Sequence, residues 1–146
     1  MIPIAKGASD NTSDSLGDVQ RADKSGTPPT TPGKNNGWYD FKGQKTMDLT
    51  GFGINKSGAI NSVTLKLKYS TRSGYNGTQY IQWSTDGMTW NNTTIKPLNN
   101  QSNIVATYDL KAAGVNTWDK IRSLRIKFYN SSSYTIGFDY VWVAMQ

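Results

Sequence analysis

Alternation of apolar and polar residues through most of residues 37–146 constrains this chain more than any other feature. In residues 63–69 apolar side chains interleave with Thr64, Lys66 and Lys68, and in residues 124–128 they interleave with Arg125 and Lys127. A period of two places successive side chains on opposite faces of a β-strand. The pattern therefore predicts strands rather than helices.

Turn segments rich in Gly, Asn, Asp and Ser separate about eight such strands, a spacing typical of antiparallel sandwiches. We predict an all-β fold, an antiparallel jelly-roll-like β-sandwich with an extended N-terminal arm. The strand at 136–143 is apolar on both faces and is expected to be central. A turn at Leu110–Val115, capped by Asp109, is the one helix candidate. The other strands are predicted at 38–42, 46–52, 63–69, 79–84, 92–96, 104–110 and 124–128.

Residues 1–36 differ in composition from the β domain at 37–146. Gly, Pro, Ser, Thr, Asn and Asp dominate this arm, which has too few apolar residues to form its own core. Its prolines favour a stiff, extended spacer. We expect other subunits to hold the arm in place, and packing against its own domain is the alternative. The assembly residues predicted here are Ile2, Ile4, Leu16, Val19, Pro28, Pro29 and Pro32.

The chain contains no histidine, glutamate or cysteine. General acid–base catalysis draws first on His and then on Glu or Asp, and thiolate or zinc chemistry needs Cys or His. The remaining Asp, Lys, Tyr, Ser and Thr residues show no catalytic spacing. We therefore predict a protein that binds or assembles and is not an enzyme.

The segment 80–94 predicts a tight hairpin. Asp86 is expected to bind backbone amides of the turn, Gly87 to supply a positive φ, and Trp90 to fold over the hairpin. This S-x-D-G-x-x-W pattern resembles the hairpin of galactose-binding-domain-like sandwiches, which include discoidin-type and carbohydrate-binding modules and also occur in phage surface proteins. Residues 124–129 and 136–143 are similar to the closing pair of strands in the same group. The resemblance implies a sandwich whose end loops can bind glycans.

Exposed aromatic side chains next to Asn or Asp are the usual way to hold a neutral glycan. Several aromatic residues, Tyr134 among them, are candidates, with core packing as the alternative. The pair Tyr75 and Asn76, in a Gly-rich loop, is the first choice for an exposed site, and the pair Trp118 and Asp119 is the second. Trp83, Trp90 and Trp142 are expected instead in the core. The predicted glycan-binding residues are Tyr75, Asn76, Trp118 and Asp119.

No cofactor is expected. Asp40, Asp48 and Asp139 could ligate a structural calcium ion, but calcium needs six or more oxygens and the sequence has no Asp-rich loop. The net charge of +6 falls on the β domain. If the strands that carry Lys66 and Arg125 were neighbours, a basic face would result. Nucleic acid remains an unfavoured partner because no motif of such folds is present.

We expect a structural subunit of a larger surface assembly, a phage capsid decoration, head-fibre or tail protein, with copies of itself or other virion subunits as partners. The chain has no apolar run of signal-peptide or transmembrane length and no cysteine, so a virion or extracellular surface assembly is the expected location. No membrane partner is expected. The alternative is a carbohydrate-binding module or adhesin, which could belong to an extracellular filament.

Overall fold

The computed structural model describes residues 7–9, 39–41, 43–50 and 58–145. These residues form strands and a single short helix, so the prediction of an all-β fold is confirmed. The strands are β1 (Gly7–Ser9), β2 (Tyr39–Phe41), β3 (Lys45–Thr50), β4 (Val63–Thr71), β5 (Gln82–Ser84), β6 (Asn91–Asn92), β7 (Ile104–Asp109), β8 (Arg125–Asn130) and β9 (Ile136–Met145), and the helix is α1 (Trp118–Arg122).

The described strands make two antiparallel sheets. A five-stranded sheet has the order β1-β3-β8-β5-β6, and a four-stranded sheet has the order β2-β9-β4-β7. β9 lies between β2 and β4, which confirms that the apolar C-terminal strand is central in its sheet. The β4–β9 register shifts once, between Lys68 and Tyr69.

Alternating burial follows the alternation in the sequence. In β4, Val63, Leu65 and Leu67 are fully buried, while the residues between them are half-buried. In β8, Ile126 and Phe128 are buried and the basic residues beside them are not. Each sheet therefore has one apolar face, as the period of two predicts.

Both sheets contribute to one buried cluster of apolar side chains. Phe128 of the five-stranded sheet meets Phe138 of the four-stranded sheet edge to face, with ring centroids 5.7 Å apart. Tyr69 packs on Phe138 from the neighbouring strand, at 6.2 Å between centroids. This aromatic group joins the two sheets directly.

The turn predicted at Leu110–Val115 is present, but it is not a helix. The segment is a turn closed by a hydrogen bond from Val115 N to Leu110 O (2.8 Å), and Asp109 caps it as predicted by accepting from Ala112 N (2.9 Å). The helix instead begins after Thr117, whose side chain accepts from the backbone N–H of Lys120. In the sequence, Thr117 followed by the acidic residue Asp119 is the pattern that indicates the start of this helix.

The basic strands are not neighbours. Lys66 and Lys68 lie on β4 in the four-stranded sheet, and Arg125 and Lys127 lie on β8 in the five-stranded sheet. These four side chains therefore do not form the single basic face considered above. Adjacency of strands depends on topology, which the alternation alone does not specify.

Gly7–Ser9, within the predicted arm, pair with β3 of the same chain, Gly7 opposite Thr50 and Ser9 opposite Asp48. These three residues therefore pack on the chain's own domain. The predicted assembly residues lie outside the described residues, and their role stays a prediction. No helix within the described ranges is long and apolar enough to cross a membrane.

Candidate binding surfaces

The hairpin between β5 and β6 has the predicted construction. Asp86 Oδ1 accepts hydrogen bonds from the N–H groups of Met88 (2.8 Å) and Thr89 (2.7 Å) and from the Ser84 hydroxyl (2.9 Å). Ser84 Oγ accepts in turn from Gly87 N at 2.9 Å, and Gly87 has a φ of +74°. The N–H groups of Thr89 and Met88 hold the pKa of Asp86 well below its ordinary value.

Substituting Asp86→Asn is expected to destabilise the hairpin and to reduce the loss of stability in acid. The folded pKa lies below the ordinary value of 3.8, so the carboxylate stabilises the fold above about pH 4 and loses that effect as the pH falls. Thermal melts at pH 6 and pH 3 would measure the difference. Asp119→Asn, at an exposed carboxylate, is the control, and an unchanged acid response in Asp86→Asn would contradict the prediction.

Trp83 is buried as expected, but the prediction of a core position for Trp90 is wrong. Trp90 is half-buried beside β8, with Lys127 Nζ 3.9 Å from its ring centroid and Arg125 Cζ at 5.4 Å. The two cations alternate with buried Ile126, so this contact is on the face of the sheet away from the core. The side chain of Trp142 lies outside the described residues.

Asp48 and Arg125 form an ion pair across the five-stranded sheet. The Arg125 guanidinium binds both carboxylate oxygens, with Nε 3.3 Å from Oδ1 and a second contact from the terminal nitrogen to Oδ2. The hydrogen bond that Arg125 donates to Asp48 raises the pKa of Arg125. The carboxylate of Asp48 is therefore already paired with Arg125. Within the described residues there is no group of three or more side chains that could hold a metal ion. The side chains of Asp40 and Asp139 are not among those described.

The expectation that Tyr75 is exposed is wrong. Its side chain is 1% exposed and belongs to the core, because Gly77 leaves room for the phenol: a Cβ at Gly77 would lie 2.2 Å from Tyr75 Oη. That hydroxyl has no hydrogen-bond partner among the described residues. Burial raises the pKa of Tyr75 to about 12. The ring cannot stack on a sugar, although the next residue, Asn76, is exposed.

Trp118 and Asp119 lie at the other end of the sheet. Trp118 is half-buried, and its Nε1 donates to Gly58 O at 2.8 Å, while Asp119 pairs with Arg122 on α1. These residues follow β7, whose end pairs with the start of β4, whereas Tyr75 and Asn76 follow the end of β4. The two predicted pairs therefore do not form one site.

A polar cavity of about 440 Å³ opens where β4 ends. Gln101 organises it: Oε1 accepts from the Tyr69 hydroxyl (3.0 Å) and from Leu98 N (2.7 Å), and its backbone N–H donates to Thr71 Oγ1 (2.9 Å). Asn100, which has a φ of +54°, stands beside it. The lining residues are Ser70, Thr71, Arg72, Ser73, Asn100, Gln101 and Ser102.

Tyr134 places an aromatic ring next to this cavity. It is 47% exposed, and its ring lies against the backbone of Gly74, the residue after Ser73. Gly74 N in turn donates to Asn99 Oδ1 at 3.0 Å. Tyr134 is among the aromatic candidates named from the sequence, whereas Asn99 and Asn100 are not among the predicted binding residues. The adjacent amide side chains of Asn99 and Asn100 were the feature of the sequence that could have indicated this polar site.

Comparison with protein families, with curated proteins and with solved structures finds no match for this chain. The likeness to galactose-binding-domain-like sandwiches therefore stays an expectation from residues 80–94, 124–129 and 136–143. The site is defined by its own geometry: an exposed phenol ring beside a polar cavity lined by hydroxyl and amide groups.

Proposed function

We propose that the chain is a non-enzymatic structural subunit of a larger surface assembly, such as a phage capsid decoration, head-fibre or tail protein. The observation that carries this proposal is the edge strand β7. Its inward residues Ile104, Ala106 and Tyr108 are only partly buried, and Val105 on the other face is 61% exposed. An exposed, regular edge is a template for pairing with another chain.

In this proposal the two sheets form a jelly-roll-like sandwich of the galactose-binding-domain type. The contact between Phe128 and Phe138 supports it, since the two rings belong to different sheets. The Asp86 hairpin supports it as well. The arm at 1–36 would anchor the sandwich on neighbouring subunits of a virion or extracellular surface, with burial of Ile2 and Ile4 contributing about 1.5–3 kcal/mol each.

The test is an Ile2→Asp, Ile4→Asp double variant of the full chain, compared with Ile2→Val, Ile4→Val. We expect the wild type and the Val variant to form assemblies in sedimentation velocity and electron microscopy. The Asp variant should form no species larger than a dimer and should keep an unchanged β-sheet circular dichroism spectrum. Equal assembly of the Asp variant would contradict anchoring by the arm, and a wild type that is monomeric at every concentration would contradict the proposal as a whole.

The second candidate function is carbohydrate binding, and the cavity beside Tyr134 favours it. Sugar hydroxyls pair well with amide and hydroxyl side chains, and an aromatic face packs on the CH groups of a sugar ring. Asn100 and Gln101 supply the first kind of contact and Tyr134 the second. This arrangement would take a neutral glycan at the end of the sheet where β4 ends.

Binding of the full chain to a glycan array tests this second function. Tyr134→Ala and Asn100→Gly are expected to abolish binding, and glycine is chosen at position 100 because it keeps the positive φ. Trp118→Ala, at the opposite end of the sheet, is the matched control and should bind normally. Loss of binding in the control alone would place the glycan at Trp118, and an array without any hit would exclude this function for the glycans it carries.

A further inference from the structure

β7 differs from every other edge among the described strands. The edge strands β1 and β2 have three residues each and β6 has two, whereas β7 pairs with β4 over six consecutive residues without a register shift. Proteins protect sheet edges by keeping them short or by placing Lys, Pro or bulges there. The sequence of β7, Ile-Val-Ala-Thr-Tyr-Asp, contains none of these.

The core is also incomplete along β7. On β4, Leu65 and Leu67 are fully buried, but the inward residues of the adjoining β7 are only half-buried. The outward residues Val105, Thr107 and Asp109 are exposed. One more strand next to β7 would cover the inward residues and pair the backbone groups on its open side.

We propose that this strand is β7 of a second copy of the chain, paired antiparallel about a two-fold axis at Ala106. Residues directly opposite each other in an antiparallel pair point to the same face. Centring on Ala106 satisfies this requirement, because Val105 meets Thr107 of the second copy on the outer face and Ile104 meets Tyr108 of the second copy on the inner face. The inference rests on the proposed role as an assembly subunit and names one of its contacts.

Charge and side-chain size fit this self-pairing. The smallest side chain of the strand, Ala106, lies on the axis, and β7 carries a single charge, Asp109, which falls beyond the paired core. Lys66 lies opposite Thr107 and Lys68 opposite Val105 within one chain. In the dimer these lysines would lie three strand spacings apart, about 14 Å. That exceeds the Debye length of about 8 Å at physiological salt, so their repulsion is screened.

Cysteine cross-linking of the full chain tests the pairing, since the natural sequence has no cysteine. Two Ala106→Cys residues on the axis would have Cβ atoms about 4.5–5.5 Å apart, close to disulfide geometry. Mild oxidation with copper–phenanthroline is expected to link most of this variant into dimers. Thr94→Cys, exposed and outside β7, is the control and should remain largely unlinked.

A second pair of variants separates this inference from the proposed function. Val105→Lys should raise the dimer dissociation constant at least about tenfold, because a lysine on an edge strand is one of the devices by which proteins prevent strand edges from pairing. Met88→Lys, also at an exposed apolar residue, should not change it. Assemblies that form normally with Val105→Lys, or with Ala106→Cys linked no more than Thr94→Cys, would overturn the β7 pairing, whereas assembly through the arm is tested separately by the Ile2→Asp, Ile4→Asp variant. If a Thr107→Cys variant formed the disulfide-linked dimer and the Ala106→Cys variant did not, the register centred on Ala106 would be wrong.

Discussion

Replacing Phe138 with alanine is expected to lower the free energy of unfolding by about 3–5 kcal/mol. Phe138 is fully buried, and its ring contacts Tyr69 within its own sheet and Phe128 of the other sheet. The substitution therefore leaves a cavity where the sheets meet. Domains of this size have total stabilities of about 5–15 kcal/mol, so the substitution should remove a large part of the stability.

Chemical denaturation with circular dichroism measures this effect, and a double-mutant cycle with Phe128→Leu isolates the contact between the rings. Beyond the lost area, an edge-to-face aromatic pair contributes about 0.5–1.5 kcal/mol. Tyr134→Ala, at an exposed ring, is the control and should cost far less. A loss below about 1 kcal/mol for Phe138→Ala would contradict the buried junction of the two sheets.

The second large effect expected is a fall in stability at alkaline pH that depends on Tyr75. Burial raises the pKa of Tyr75 from an ordinary value of 10.0 to about 12. Between these values the unfolded chain loses the phenol proton and the folded chain keeps it, so the free energy of unfolding falls as the pH rises. One pKa unit corresponds to about 1.4 kcal/mol, and we expect a loss of about 2 kcal/mol by pH 12.

Tyr75→Phe should remove this alkaline loss and leave stability at pH 7 unchanged or about 1 kcal/mol higher, since it deletes a buried hydroxyl without a described partner. Urea titrations at pH 7, 9 and 11 measure both effects. Tyr134→Phe, at an exposed phenol, is the matched control and should retain the wild-type pH dependence. A Tyr75→Phe variant that is destabilised at pH 7 would indicate that the hydroxyl is hydrogen-bonded.

The strands and the hairpin were predictable because their determinants are local. The alternation around Leu65 and Leu67 places β4, and Asp86 and Gly87 specify their turn through bonds to residues at most three positions away. The central position of β9 followed from its two apolar faces. Each of these features depends on near neighbours in the sequence, which a single chain displays directly.

Trp90 was misplaced because its surroundings are distant in sequence, and Tyr75 because the composition of its loop does not show which way its ring turns. A Gly-rich loop suggests exposure, but Tyr75 turns inward where Gly77 makes room beneath the sheet. Trp90 lies against Lys127, 37 positions later, and that contact depends on β5 and β8 being neighbours. The cavity around Gln101 depends in the same way on Thr71, 30 residues earlier. The placements of Trp90 and Gln101 therefore depend on contacts between distant segments.

The inward position of Tyr75 has a consequence for the cavity a few residues before it. Because the Tyr75 ring is packed in the core, it fixes the loop that carries Ser73 and Gly74. This wall of the cavity is therefore already formed before a ligand binds. A pre-organised wall loses little conformational entropy on binding. Binding of the proposed glycan should therefore be a single-step association that needs no rearrangement of this loop.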